Sequence, residues 1–407
     1  MRFNLSSRLG RLVSFGGGLA EGAADARELW KALVRAFVAV PEENRDARVL
    51  IGFLRKLGDR APNLAAELLD AAVDHEALGC WFPLLQCSVT IDETGVNRLR
   101  RSLALDLAPV GEFRNLAWGR SHETVSAKDL KDLVTRIGEK PNDVSVGLEI
   151  VFFRLFGDQE KKRAHEPDMI EAGRDLLGKL EIGEGRTRND HELGLIVARC
   201  LAEEAGVPVA RALCERFKEA ADKRGGQVQH YHEFFEGMCK AQPVIVLDTF
   251  FGGDEPTRRT SARMLRRFGE HQSNPLDSIA DECVITWCDG DPDMRYVAMA
   301  SVVSYLSGSE GNASSRWSHI ALKLLERAPD RVAVAKQFAE RFRPSSWSGS
   351  LAPILEGRRV LLTELEQHPD PRVVEFAIAE GQRFATEIEA ERKFETAHDR
   401  LTDERFE

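Results

Sequence analysis

The sequence lacks any run of 18 apolar residues, and its longest apolar stretches, around 151–156 and 243–247, are far too short to cross a bilayer. It therefore predicts a protein without a membrane-spanning segment. The apolar–polar alternation typical of β-strands is almost absent. None of the seven cysteines is spaced as Cys-x-x-Cys, which argues against a zinc or dithiol motif. We predict that these thiols are reduced and buried in a cytoplasmic protein.

Signatures of catalysis are missing too. Neither the phosphate loop Gly-x-x-x-x-Gly-Lys-Ser/Thr nor the nucleophile elbow Gly-x-Ser-x-Gly occurs. Residues 244–248, Val-Ile-Val-Leu-Asp, have the form of a Walker B strand, but without a phosphate loop they are better explained as a buried first helix of a repeat. We therefore predict a protein that is not an enzyme, with no catalytic residue, no cofactor and no metal.

The composition is that of a folded globular chain. Of the 407 residues, 43% are hydrophobic and 30% are charged, which suffices for a large core. The net charge of -10 argues against binding of polyanions by the whole surface. Binding of nucleic acid would therefore need a local basic patch.

Apolar residues recur at helical spacing along nearly the whole chain, as at Leu29, Leu33 and Phe37. Prolines such as Pro243 and Pro292 interrupt the pattern at short intervals, and each would fit the first turn of a helix. The pattern predicts an all-α protein of about twenty helices, or about ten helical pairs.

The C-terminal half repeats itself. Segments 254–262, 291–300 and 369–377 each contain an aspartate, a proline and an arginine and end in alanine. The first two alanines are 38 residues apart and the last two are 77 apart, close to twice that period, with a degraded copy at 329–332 between them. A period near 40 with two helices per unit is typical of a helical solenoid.

The repeated positions also suggest physical roles. Asp291 would cap the helix that follows and meet Arg295 one turn later. Ala300 and Ala377 would lie on the packed face, where a small side chain lets helices approach. These expectations concern the second helix of each pair.

This pattern resembles the HEAT family, in which the second helix commonly opens with an aspartate-containing turn, followed by valine, arginine and a small alanine. The resemblance covers residues 241–400 in motif and residues 20–240 only in rhythm. It implies a right-handed α-solenoid of HEAT-like helical pairs. Such a fold presents a long concave surface, usually to a protein partner.

The expected organisation is one continuous solenoid over 20–400, with the best-defined repeats at 241–400 and a C-terminal cap at 345–400. Residues 1–19 contain arginines and a run of glycines but no continuous apolar core, which argues against a secretory signal. We therefore expect an N-terminal tail at 1–19. An acidic tail is expected at 401–407.

Two segments carry a second resemblance. Residues 147–155 and the block Trp347–Ser350 are similar to pieces of C-terminal helical regions in large bacterial NTPase-type defence proteins. The likeness implies a cytoplasmic scaffold or sensor module of a bacterial antiphage defence system, working through a protein partner. Nothing in the sequence indicates the oligomeric state.

One surface feature points to binding. At 100° per residue, Arg258, Arg259, Arg263, Arg266 and Arg267 share one half of a predicted helix. Guanidinium groups in such a stripe fit carboxylates or phosphates. The alternative function is therefore a nucleic-acid-binding repeat protein, similar to HEAT-like DNA glycosylases, with these arginines on the phosphates.

The surroundings of these arginines distinguish the two functions. If they gather in one groove with the second cluster, Arg98, Arg100 and Arg101, nucleic acid is favoured. If arginines pair with acids of neighbouring repeats, a scaffold is favoured.

Three further patterns have competing explanations. His232, Glu236 and Cys239 would share one helical face and could grip zinc only if they converge, which is the condition for a hydrolase or metal enzyme. Residues 289–293 imitate the start of a calcium loop but lack its later glycine and glutamate. Residues 160–162, Glu-Lys-Lys, imitate a nuclease motif in a stretch that is helical rather than strand-like.

Overall fold

The computed structural model describes residues 3–140, 144–182, 189–224, 227–269, 273–307, 315–344 and 347–403. Within these ranges the side chains of 3–9, 222–224, 227, 229, 266, 267, 269 and 398–403 are not described. The described chain is helical, and its β pairing is one isolated bridge between Leu306 and Trp317. The all-α prediction is confirmed. None of the described helices combines the length and apolar composition needed to span a bilayer.

The chain forms two compact units. The first holds the residues up to Glu181 together with His191–Val209, and the second holds Ile182–Asp190 together with the chain from Ala210 onward. The first unit contains the helices α1 (Phe3–Gly22), α2 (Ala26–Val38), α3 (Arg48–Arg60), α4 (Pro62–Ala72), α5 (Phe82–Gln86), α6 (Glu93–Leu105), α7 (Ala127–Ile137), α8 (Val144–Glu160), α9 (Pro167–Gly178) and most of α10 (Asp190–Cys200).

The division falls within α11 (Val207–Arg224). The second unit continues with α12 (His232–Ala241), α13 (Pro243–Phe251), α14 (Glu255–Gly269), α15 (Asp281–Asp289), α16 (Pro292–Ala300), α17 (His319–Arg327), α18 (Arg331–Ala339), α19 (Ala352–Leu365) and α20 (Pro371–Asp403). As predicted, several helices carry a proline in their first turn, among them α4, α9, α13 and α16.

Helices of the second unit contact each other in two rows. In one row α13 packs on α15 and α15 on α17; in the other α16 packs on α18 and α18 on α20. Consecutive helices also pair, α13 with α14, α15 with α16, α17 with α18 and α19 with α20. These helices thus pack both within a pair and against helices of the neighbouring pairs.

Side-chain contacts join positions about 40 residues apart in both units. They tie together segments that lie about one period apart along the chain. The pairs include Arg27–Glu67, Glu123–Lys161, Asp248–Trp287, Asp289–Arg327 and the bond from Arg341 to the Ala300 carbonyl. The period read from the sequence therefore recurs as a period of contacts.

An N-terminal tail was predicted at 1–19; the described chain is helical from Phe3, and α1 packs closely along α3. The reason is glycine at the crossing. A Cβ at Gly16 would overlap the Val49 carbonyl oxygen, and one at Gly52 would overlap the Val13 carbonyl oxygen. Two helix backbones therefore meet where side chains would separate them.

The roles expected within the repeated segments are confirmed in part. Ala300 and Ala377 are both fully buried, as expected. Asp291 precedes α16 but makes no side-chain cap bond. Arg295 instead lies over the Trp287 ring, 4.2 Å from its centroid, and donates to the Trp287 carbonyl at 2.7 Å. Attraction to the aromatic face and the carbonyl replaces the expected ion pair.

Candidate functional site

Helix α14 carries the arginines singled out in the sequence. It begins after Asp254, whose carboxylate accepts a hydrogen bond from the Thr257 backbone N–H at 3.1 Å. Hydrogen bonding with Thr257 holds the Asp254 pKa below its usual value. Leu265 and Phe268 are buried on the opposite side of the helix, and Ala262, which lies between Arg258 and Arg259 around the helix axis, is buried as well. The outward-facing part of the helix is therefore the side that carries Arg259 and Arg263.

The described arginines of α14 bond only to their own helix and its approach. Arg258 donates to the Gly253 carbonyl, and Arg259 pairs with Glu255 one turn earlier. The Arg263 Nη2 lies 3.4 Å from the Thr260 hydroxyl. Among the described residues, none of these three arginines pairs with an acid of another helix.

The side chains of Arg266 and Arg267 lie outside the described residues, although both positions belong to α14. Arg258 is half-buried, whereas Arg259 and Arg263 are exposed. The face therefore presents at least two guanidinium groups to solvent, those of Arg259 and Arg263. The charge of Arg259 is balanced by the neighbouring carboxylate of Glu255.

The second arginine cluster behaves differently, and each of its three members pairs with an acid outside its own helix. Arg98 is buried, Arg100 is partly buried and Arg101 is exposed. Arg98 bonds to Asp70 at 2.6 Å, Arg100 to Asp129 at 2.8 Å and Asp132 at 2.7 Å, and Arg101 to Asp74. The hydrogen bonds with Asp132 and Asp129 raise the Arg100 pKa. This cluster belongs to the first unit and serves its packing.

A groove of about 220 Å³ lies beside the arginine face, between α11, α13 and α14; we call it the α14 groove. Phe250 and Met264 form part of its apolar lining, and Thr257 and Thr260 part of its polar lining. Lys218 reaches it from α11 and donates to the Thr249 carbonyl at 3.1 Å. The arginine face and the groove adjoin at Thr260, which contacts Arg263.

The residues singled out as metal ligands engage separate partners. His232 Nε2 lies 2.6 Å from the Ser273 carbonyl oxygen, and Glu236 pairs with Lys240 at 2.6 Å. Cys239 is buried, and burial raises the pKa of its thiol well above the usual value. In the described part of the chain no three His, Cys, Asp or Glu side chains gather as a metal site. The convergence required for a metal enzyme is therefore not found among them.

The remaining motifs serve the fold. Residues 244–248 lie in α13 and therefore form a helix rather than a strand; Val246 and Leu247 are fully buried. Asp248 accepts a hydrogen bond from the Trp287 indole at 2.7 Å. In the calcium-like turn, the Tyr296 hydroxyl donates to Asp289 at 2.7 Å.

The nuclease-like segment lies at the C-terminal end of α8. Lys161 pairs with Glu123 at 2.6 Å. Asp143, an acid upstream of Glu160 that could complete such a motif, lies outside the described residues. The lysine is thus held by a neighbouring turn of the fold.

A buried polar group near this segment has no counterpart among the sequence motifs. Asp158 accepts a hydrogen bond from Arg163 at 2.6 Å, and its second oxygen lies 4.0 Å from His165 Nδ1. Neither of those two atoms has a hydrogen-bond partner among the described residues. The turn between Asp158 and His165 matches no recognisable sequence motif. Their proximity therefore could not be predicted from the sequence.

The α14 groove likewise has no signal in the sequence. Lys218 precedes the arginine stripe by 40 residues and lies on another helix, so spacing along the chain does not reveal it. No family profile, curated protein or solved structure matches this chain. The case for a function therefore depends on its own residues.

Proposed function

We propose that this protein is a non-enzymatic scaffold or sensor module that recognises a protein partner through the arginine face of α14. The supporting observation is a contrast between arginine clusters. Arg98, Arg100 and Arg101 pair with acids outside their own helix, whereas Arg258, Arg259 and Arg263 make no such pair among the described residues. Charged side chains kept at a surface without structural pairing suit an intermolecular contact.

The architecture that we propose for the scaffold is a right-handed HEAT-like solenoid of about ten helical pairs. Its support is the recurrence of contacts about 40 residues apart and the two rows of helices in the second unit. A role in a bacterial defence system remains a proposal carried by the resemblance of residues 147–155 and Trp347–Ser350.

The second candidate function is nucleic-acid binding. The exposed Arg259 and Arg263 favour it, because phosphates accept bidentate contacts from guanidinium groups as readily as carboxylates do. The pairing of Arg98, Arg100 and Arg101 with acids counts against it, since those carboxylates compete with phosphates for the same guanidinium groups.

Binding to DNA and RNA separates the two candidates. The purified protein is compared, at low and moderate salt, with a variant in which Arg258, Arg259, Arg263, Arg266 and Arg267 are alanine. A control variant replaces Lys336 and Arg359, which are exposed basic residues elsewhere in the second unit, by alanine. We expect no binding by any of the three proteins. Binding that falls about tenfold or more between 50 and 200 mM salt, and that is lost only in the five-arginine variant, would replace the scaffold by the nucleic-acid function.

Site-specific photo-crosslinking in cells tests the scaffold directly. A photoreactive residue at Thr260, beside Arg263, is compared with one at Thr363, an exposed threonine of α19. We expect a protein adduct at position 260 that disappears when the five arginines are changed to alanine. An adduct that forms equally at both positions, or none at position 260, contradicts recognition through α14.

A further inference from the structure

Two buried polar atoms face each other at the C-terminal end of α8. Asp158 is only 2% exposed, and its Oδ2 lies 4.0 Å from His165 Nδ1. That distance is too long for a hydrogen bond, and neither atom has another partner among the described residues. Because buried polar atoms without a partner are costly, a bond between these two atoms would remove a cost at both.

The protonation state of the imidazole accounts for the gap. A carboxylate only accepts hydrogen bonds, and a neutral imidazole with its proton on Nε2 also accepts at Nδ1. Two acceptors cannot bond to each other, so they stand apart. A proton on Nδ1 turns that atom into a charged donor, which a carboxylate binds at short distance.

The charges that face His165 act on it in opposite senses. Burial and the charge of Arg199 on α10 lower the pKa of the ring, whereas Asp158 opposes them. Arg199 is held near the ring by a hydrogen bond to Gln159 Oε1 at 3.2 Å. Arg163 donates to Asp158 Oδ1 at 2.6 Å, which fixes the carboxylate but leaves Oδ2 facing the ring.

The turn between α8 and α9 is anchored on both sides of the ring. Lys161 pairs with Glu123 at 2.6 Å before it, and Glu166 pairs with Arg154 at 2.7 Å after it. Between these anchors Lys162 has a φ of 53°, a left-handed conformation that residues other than glycine rarely adopt. A change in the position of the ring is therefore confined to the few residues between the two ion pairs.

A narrow slot between α8 and α10 adjoins the ring. Its walls include Phe156 and Leu195, and His165 lies at its polar end with Arg199. Its volume of about 10 Å³ is close to the space that one water molecule needs. Because a slot of this size cannot hold a small-molecule ligand, the arrangement is better suited to a movement of the ring than to binding.

From this arrangement we infer that Asp158 and His165 form a pH-sensitive switch in the first unit. At neutral pH the ring is uncharged and stands off from the carboxylate. When the pH falls, Nδ1 takes up a proton from solvent and donates it in a hydrogen bond to Asp158 Oδ2, so that the turn closes onto the end of α8 by about 1 Å. The inference goes beyond the proposed function and does not depend on it, because it concerns other residues.

NMR of the protein with 15N-labelled histidine follows the protonation of each imidazole, and the His165 signal is the one missing from a His165→Asn variant. We expect Asp158→Asn to move the His165 titration midpoint to lower pH by about one pH unit or more, because the carboxylate that favours the imidazolium is gone. Arg199→Gln, at an exposed position, should move it to higher pH. His319, in the second unit, is the internal control and should titrate unchanged in both variants.

Opposite shifts distinguish the switch from a structural role, since a general loosening of the fold would move the midpoint in the same direction in both variants. A midpoint that stays in place in Asp158→Asn, or that moves in the same direction in both variants, overturns the inference. Circular dichroism confirms that each variant is folded.

Crystal structures of the unmodified protein test the movement without any substitution. One is determined at pH 7.5 and one at a pH below the measured His165 midpoint. We expect the distance between His165 Nδ1 and Asp158 Oδ2 to be within about 3.2 Å at the lower pH and beyond about 3.5 Å at the higher. Equal distances at both pH values overturn the switch, as does an ordered water that bridges the two atoms in both structures.

Discussion

At the crossing of α1 and α3 two glycines allow the helix backbones to touch. Gly16 and Gly52 each face a carbonyl oxygen of the opposite helix, so an added methyl group has no room. Gly18, on the same helix as Gly16, has open space where its Cβ would stand. The pair of sites provides a matched comparison of the same substitution.

We predict that Gly52→Ala lowers the free energy of unfolding by about 2 to 3 kcal/mol, because the methyl group forces the helices apart. Gly18→Ala should be neutral or stabilising by up to about 1 kcal/mol, since alanine favours the helix. Urea denaturation measures both. Equal effects of the two substitutions would show that the close contact of α1 with α3 is wrong.

Two histidines of the first unit, His122 and His165, are wholly or partly shielded from water. His122 is buried, with Nδ1 3.0 Å from the Leu116 carbonyl oxygen, and burial, aided by the charge of Arg154, lowers its pKa. Burial, aided by Arg199, also lowers the pKa of His165, against the opposing effect of Asp158. Both side chains are therefore neutral over a wider pH range in the folded state than in the unfolded state.

This difference predicts that stability falls with acidification. Below the unfolded histidine pKa, near 6.5, the unfolded chain binds protons that folded His122 and His165 do not yet bind, so stability is lost as pH drops until the lowered folded pKa values are passed. Urea midpoints at pH 7.5 and pH 5.5 measure the loss. The double variant His122→Asn/His165→Asn should show a smaller difference between the two pH values, and an unchanged difference would contradict the prediction.

At the scale of a helix, the beginning of α12 depends on a residue distant in sequence. Asp190 accepts hydrogen bonds from the backbone N–H groups of Glu233 at 2.7 Å and Phe234 at 3.0 Å. The Tyr231 that precedes α12 makes no side-chain cap bond. The carboxylate of one helix thus satisfies orphan donors of another.

We predict that Asp190→Ala destabilises the protein by about 1 to 2 kcal/mol, the usual cost of losing a helix cap. Asp190→Asn, which keeps an acceptor oxygen, should lose less. Asp175→Ala, at an exposed position of α9, is the control and should change stability by less than about 0.5 kcal/mol. Thermal unfolding ranks the three variants, and an order in which the control loses most contradicts the capping role.

At the scale of the whole molecule, each helix contacts only a few neighbours. In such chains the stability of one element depends on the elements packed against it. Leu247, fully buried in α13, belongs to a helix that contacts α12, α14 and α15. It provides a local perturbation whose spread can be followed along the chain.

We predict that Leu247→Ala costs about 2 to 5 kcal/mol locally and speeds amide hydrogen exchange in α12 to α15. Exchange in α2 to α6 should remain as in the unmodified protein. Mass spectrometry of peptic fragments measures both regions at once. A uniform increase over the whole chain would instead indicate a single cooperative unit.

The helical class, the positions of several helix starts and the buried alanines of the repeats could be predicted from sequence, because periodicity and proline act locally. The α1 helix could not, since glycine in isolation indicates a linker and only contact with α3 reveals its use. The predicted ion pair of Asp291 with Arg295 does not form for a similar reason, because Arg295 lies over the Trp287 ring and donates to the Trp287 carbonyl.

The candidate site divides in the same way. The sequence by itself determined that five arginines share one half of α14, because their spacing follows from helical geometry. Only the tertiary structure decided that Arg98, Arg100 and Arg101 are taken up by neighbouring acids, and that Lys218 of α11 joins α14 at a groove. A helix fixes which of its residues share a face, but which charges and surfaces meet that face depends on residues distant along the chain.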